Sequence, residues 1–373
     1  MTTRTVLIAP DKFKGSLTAA EVVAAVSAGL RSVSAVQVRG VPVADGGDGT
    51  IAAAVAAGYE EVLVQAAGPT GETSTTRYAR SGHTAVIEMA DVCGLAGLPE
   101  GKLQPLTATS RGTGEVMAAA LEAGCTSLVV GIGGSASTDG GAGVLAGLGV
   151  ELHDAAGVAI ADGGAALSQV VTIDTEALAE RLAGATITVA CDVDNPLTGP
   201  EGAAAIYGPQ KGADEAQVRL LDDALSHFAN LVADHTGHDY RDAPGAGAAG
   251  GVGFAAVALL GARLSPGIDL IFDLIGFEAA LDGVDLVITG EGSLDEQTLN
   301  GKAPAGVAAA AGKLGIPVVA VCGRTTLSHA RLAGAGISAA YALSDLEPDV
   351  ELSMKEAGSL LTELGEQIAR EHL

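Results

Sequence analysis

Carboxylates placed directly after apolar runs are the first chemical feature of this sequence. Asp11 follows "TVLIAP", Asp45 follows "VPVA", Asp192 follows "TVAC" and Glu291 follows "LVITG". In doubly wound sheets, ligands bind outside the carboxyl ends of the strands. Acids at such positions are suited to holding Mg2+ or accepting a hydroxyl proton. Asp192 and Asp194 in "ACDVDNPL" resemble the start of an EF-hand loop. Pro196 occupies a ligand position, however, and glycine is missing at the sixth, so that match fails. A turn cap is the competing reading of Asp192.

Glycines and cations gather around these acids. "APDKFKGS" carries Asp11, Lys12, Lys14 and Ser16, and "VADGGDGT" sets Asp45 and Asp48 around Gly46 and Gly47. "TSRGTGE" holds Arg111, "YGPQKGA" holds Lys211, and "GEGSLDEQTLNGKAP" holds Glu291, Asp295 and Lys302. The run "GIGGSASTDGGAGV" (131–144) contains Gly133, Gly134, Ser135, Ser137, Thr138, Asp139 and Gly140 and almost no bulky side chain. It follows the strand-like "TSLVV" and precedes a short helix, so its backbone amides suit an anion-binding nest. A tight turn with close helix packing is the structural alternative. For each cation the plain alternative is a surface lysine or a structural ion pair.

Several other chemistries are weakly supported or excluded. Gly131-x-Gly133-x-x-Ala136 fits a dinucleotide fingerprint, with Glu151 or Asp154 at the required distance. A lone match of this kind is weak, and the tract continues where a crossover helix should run. "LNGKAP" lacks the first glycine and the Ser or Thr of a Walker A loop, and no G-x-S-x-G elbow is present. The seven histidines form no metal set.

Composition narrows the partners. The formal net charge is −25, with 20 Lys and Arg against 45 Asp and Glu. Nucleic acid and anionic membranes both need a basic footprint and are poor partners. Cys93, Cys125, Cys191 and Cys322 lie far apart, which suggests buried free thiols in a reducing compartment. "MTTRTVLIAP" lacks a signal peptide's apolar core and cleavage site. The apolar stretch 248–262 is too short and glycine-rich to span a bilayer. The expectation is a cytoplasmic protein of open oligomeric state.

The elements that must position these residues are legible as Val- and Ile-rich runs bounded by Gly, Pro or Asp. "TVLIAP" (5–10), a helix with Thr18 and Glu21 at capping-box positions, and "VQVRGVPV" (36–43) form a β-α-β unit. Strands at 285–290, 317–323 and 338–343 alternate with helices at about 304–314, 328–335 and 350–372. Two strands at the start and three at the end make the five of a small doubly wound parallel sheet. Between them lie short strands at 60–66, 75–80 and 84–89 and a helix near 214–236. We therefore expect an α/β fold with a discontinuous domain (1–63 and 284–373), an inserted α/β domain (64–283), and a ligand cleft at their junction.

In this order, "IAPDKFKGSLTA", "VPVADGGDGT", "AVIEMADVCGL", "GTGE", "GIGGSASTDGGAG", "ACDVDNPLTGP", "YGPQKGA", "PGAGAAGGVG" and "VITGEGSLDEQTLNGKAP" closely resemble the bacterial type I glycerate kinases, the glycerate 2-kinase group. Many members of that family have Ser at Lys12, Glu at Asp48, Asn at Thr138 and Tyr at Arg111. The resemblance implies a flavodoxin-like domain with an inserted domain. It also implies ATP- and Mg2+-dependent phosphorylation of D-glycerate on the 2-hydroxyl. On chemistry and position we assign Asp192 as the hydroxyl-orienting base, and Lys14 and Lys302 as neutralising cations. Asp45 and Asp194 are assigned to the metal, with Asp45 also in the catalytic set. Ser16, Gly46, Gly47, Arg111, Gly133, Gly134, Ser135, Thr138, Asp139, Gly140, Lys211, Glu291 and Asp295 are assigned to substrate and nucleotide. The competing readings are an NAD-linked hydroxyacid dehydrogenase, a glycerate 3-kinase, and a small-anion binding protein without catalysis.

Overall fold

Five Val-, Ile- and Ala-rich segments from the two ends of the chain align as one parallel sheet. Across it run Gln37–Gly40, Thr5–Pro10, Leu286–Leu294, Val318–Thr325 and Ala339–Ala342. Every neighbouring pair is parallel, with Val6 opposite both Val38 and Leu286. In the sheet's own numbering this is the order 2-1-3-4-5 of flavodoxin-like folds. The computed structural model describes residues 4–299 and 301–373. Two compact units make up the chain. One comprises Met1–Asp45, Ala52–Ala57 and Ile268–Leu373; the other comprises Gly46–Ile51 and Gly58–Gly267.

In the first unit, period-two alternation sends Val6, Ile8, Ile288, Val319 and Val321 to one face. Leu7, Ala9, Val287, Ala320 and Cys322 go to the other. Both faces are covered, which explains why these strands read as continuous apolar runs. Helix Ala19–Val33 begins with the expected capping box between Thr18 and Glu21. It packs so closely on helix Ala357–His372 that a Cβ at Gly29 would lie 2.0 Å from the Thr362 carbonyl oxygen.

Three segments differ from the sequence expectation. The ladder of the second strand ends at Gly40, because Pro10 on the facing strand has no N–H to donate to the Val41 carbonyl. Val41 and Val43 nevertheless still donate to Ile8 and Pro10. The third strand continues to Leu294, four residues past Gly290, so Glu291 lies within it. The helix expected over 350–372 is two helices, Val350–Lys355 and Ala357–His372, broken where Glu356 leaves helical geometry.

The second unit has a six-stranded mixed sheet. Its order is Arg263–Ser265, Thr186–Ala190, Ser127–Gly131, Thr84–Glu88, Thr73–Ser81, Glu60–Ala67. The first four are parallel and the last two join antiparallel. Glu151–His153 and Thr172–Asp174 form a separate antiparallel pair. Helix Glu215–Thr236 is capped by Asp214 and Gln217 at its start and by left-handed Gly237 at its end. The four cysteines are unbridged thiols. Among the described residues, no helix is long and apolar enough to cross a membrane.

Candidate active site

In the first unit, acids collect where the parallel strands end. Asp11 follows the Thr5–Pro10 strand, and its amide donates to the Gly290 carbonyl at 2.8 Å. Its carboxylate is buried and accepts from the Lys12 amide at 2.6 Å. Burial pushes this carboxyl up to about 7; Asp45 and Glu291 add to the rise and Lys12 opposes it. Glu291 is also buried, accepts from the Thr298 hydroxyl, and is raised chiefly by desolvation. The Thr298 bond and the Lys302 charge pull it back, while Asp295 and Asp45 add to the rise. Asp295 Oδ1 accepts from the Gln297 amide at 2.8 Å and shapes the turn that brings Thr298 to Glu291. Lys302 stands at the N-cap of helix Ala303–Lys313 and Lys14 is exposed. The charges of Lys12 and Asp45 thus act on Asp11, and those of Lys302, Asp295 and Asp45 on Glu291. Ser16 is turned to another task, since its hydroxyl donates to the Met354 carbonyl at 2.7 Å.

The second unit is built around the glycine run. Strand Ser127–Gly131 delivers it, and the chain stays irregular until helix Ala142–Gly147. The run meets two other glycine loops backbone to backbone. A Cβ at Gly133 would lie 2.8 Å from the Gly47 Cα, and one at Gly250 would lie 2.2 Å from the Ser137 carbonyl oxygen. Close packing thus accounts for part of the glycine content. Several amides are also satisfied internally: Ala136 donates to Cys93, Gly140 to Gly250, and Gly141 and Gly143 to Asp139.

Asp139 is wholly buried and also accepts from both the amide and hydroxyl of Ser110, each at 2.8 Å. Desolvation raises its carboxyl against these hydrogen bonds. Lys211 is 2% exposed; its ammonium donates to Ser135 Oγ at 2.9 Å and to the Ser137 carbonyl. Burial lowers it to about 8, with Asp139 opposing. Arg111 is engaged too, in a bidentate pair with Asp162 at 2.8 and 2.6 Å. This pair lines a cavity of about 430 Å³ together with Gly143, Glu151, His153 and Leu167. Asp192 follows the Thr186–Ala190 strand and accepts from the Gly267 amide at 2.9 Å, while Asp194 is exposed nearby in sequence.

This chain matches the model of the glycerate kinase family over residues 6–373. The chain belongs to the glycerate kinase family. It is an enzyme, a phosphotransferase. A glycerate kinase of Bacillus subtilis is 43% identical over 98% of this chain and 96% of its own length. A glycerate 2-kinase of Escherichia coli is 46% identical over 86% of this chain and 85% of its own. A crystal structure from Salmonella typhimurium LT2 that carries the name glycerate kinase 2 superposes with a TM-score of 0.84. It is 41% identical, covering 99% of this chain and 98% of that one.

Family membership removes the dehydrogenase reading, and the fold gives the reason. Gly131-x-Gly133-x-x-Ala136 opens no crossover helix. Sequence reasoning passed over Glu88, which ends the Thr84–Glu88 strand in "AVIEMADVCGL". It is buried and accepts from the amides of Gly49 and Ile51 at 3.0 and 2.9 Å, holding the "VADGGDGT" loop. Burial pushes it up to about 7, with Asp48 and Asp91 adding. The strand-end rule that singled out Asp11 applies equally to Glu88.

Proposed function

We propose that this glycerate kinase transfers the γ-phosphoryl group of ATP to the 2-hydroxyl of D-glycerate, giving 2-phosphoglycerate. The observation that carries the reading is the 131–144 run, a glycine-rich turn at the end of a buried parallel strand. Its Ala136 and Gly140–Val144 amides bond within the protein. That leaves the Gly134–Ser135 and Ser137–Asp139 segments as the donors we assign to phosphate or carboxylate. The name of the Escherichia coli relative, glycerate 2-kinase, supports the 2-hydroxyl.

Phosphoryl transfer needs positioning and charge neutralisation more than covalent chemistry. Asp192 receives the hydroxyl proton, and Lys14 and Lys302 neutralise phosphate or the glycerate carboxylate. Glu291 and Asp295 are the reserve acids. Among the described residues, no group of three or more His, Cys, Asp or Glu side chains is arranged to hold a metal unaided. Mg2+ arriving with a nucleotide takes one or two carboxylates and completes its shell with phosphate and water. Asp194 or Asp45 would help to hold it, and it would neutralise phosphate charge.

Phosphorus NMR of the product formed from ATP, Mg2+ and D-glycerate tests the reading. The expected product has phosphorus coupled to the single proton on C2. Coupling to two methylene protons means 3-phosphoglycerate and overturns the regiochemistry. Absence of ADP formation overturns the donor.

A further inference from the structure

Lys211 and Asp139 are buried ionisable groups whose side chains bond to the 131–144 run. Lys211 comes from the single turn Pro209–Lys211. Its two acceptors, Ser135 Oγ and the Ser137 carbonyl, are both in the glycine run. Asp139 binds the far half of the run through Gly141 and Gly143 and ties it to Ser110. Ser110 Oγ then accepts from the Val144 amide at 3.0 Å. Between these two anchors, the hydroxyls of Ser137 and Thr138 are fully buried and have no hydrogen-bond partner among the described residues.

We propose that Lys211 and Asp139 are positioning residues whose side chains clamp the 131–144 run, and that neither side chain touches the ligand. The inference deepens the assignment of this run to ligand anions and rests on that reading for its kinetic consequence. A lysine that contacts phosphate sits at a solvent-reached surface with spare donors. Lys211 instead faces inward, with Asp139 as the opposite charge acting on it. Ser135 likewise becomes part of the clamp, because its oxygen receives the ammonium.

The test uses the full chain with Ser135→Ala, Lys211→Met and the double variant. Hydrogen exchange without ligand reads the clamp directly. Lys211→Met should speed exchange of the internally bonded Ala136 and Gly140 amides by about tenfold or more while the Ser127–Gly131 strand changes less than about twofold. Unchanged exchange in the run overturns the clamp, whether or not the enzyme is active. Steady-state kinetics then separates positioning from ligand contact. If Lys211 acts through Ser135 and its neighbours, the losses in kcat/KM for ATP are non-additive. The double variant should fall within about twofold of Lys211→Met alone. Losses that multiply in the double variant mean that Lys211 reaches the ligand independently. A lowered melting temperature with unchanged kcat/KM makes it core support only. Either result overturns the proposal. A wild-type protein that makes no phosphoglycerate refutes the proposed function and leaves the exchange result to decide the clamp.

Discussion

At the scale of single residues, Asp192 gives the sharpest test of the chemistry. Asn at this position keeps the oxygen that accepts from the Gly267 amide. It removes the carboxylate to which we assign the hydroxyl proton. Asp192→Asn should therefore lower kcat by about 10²–10⁴-fold, the range of a positioned general base. Its denaturation midpoint should stay within experimental error. A turnover loss below about tenfold assigns the residue to holding the chain at Gly267. Glu88 gives a second test, through pH. Its carboxyl is raised from 4.5 to about 7 by burial, so the folded chain holds the extra proton across that window. The stabilising contribution is complete below about pH 4.5 and is lost as pH rises through 7. Melting temperature should fall between about pH 4.5 and 7, and Glu88→Gln should flatten that fall. An equally steep fall in the variant removes Glu88 as its source. The strand-end acids Asp11, Asp45 and Asp192 were legible because an apolar run ending in Asp is visible one residue at a time. The partners of Arg111 and Ser16 were not, because Asp162 lies 51 residues away in sequence and Met354 lies 338 away.

At the scale of elements, the parallel sheet could be read from composition because strands buried on both faces need no alternation. What escaped was where elements stop. The strand through Glu291 runs on because its neighbour Val318–Thr325 still offers partners at Arg324 and Thr325, a fact held by another segment. The glycine run illustrates the same limit. Its composition announced an anion loop, yet the glycines of two distant loops, at 46–47 and 250–251, pack against it. Close approach is also the theme of the Ala19–Val33 and Ala357–His372 pair. Gly29→Ala should gain about 1 kcal/mol of helix propensity. Against this, the new Cβ would stand 2.0 Å from a carbonyl oxygen that only a backbone shift can move. The clash wins, and a net loss of about 1–3 kcal/mol in urea unfolding is expected. A stabilised variant would mean that the two helices separate easily.

At the scale of the whole molecule, the pairing of Thr5–Pro10 with Leu286–Leu294 sets a timetable for synthesis. The first strand and helix leave the ribosome early, and the neighbour that completes their sheet is made some 280 residues later. At about 5–20 residues per second, that interval is roughly 15–55 s. The run 58–267 is finished before then and has a core of its own. Throughout the wait, the apolar faces of Val6, Ile8, Val22 and Val26 have no sheet to lie against, which invites chaperone capture. Stalled nascent chains ending near residue 300 should therefore resist brief proteolysis across 58–267 and be cut within 4–45. Uniform resistance in such chains would mean that the early segment finds shelter without its sheet. A slow final step, dependent on the last third of the chain, is the kinetic cost of assembling one sheet from both ends of a polypeptide.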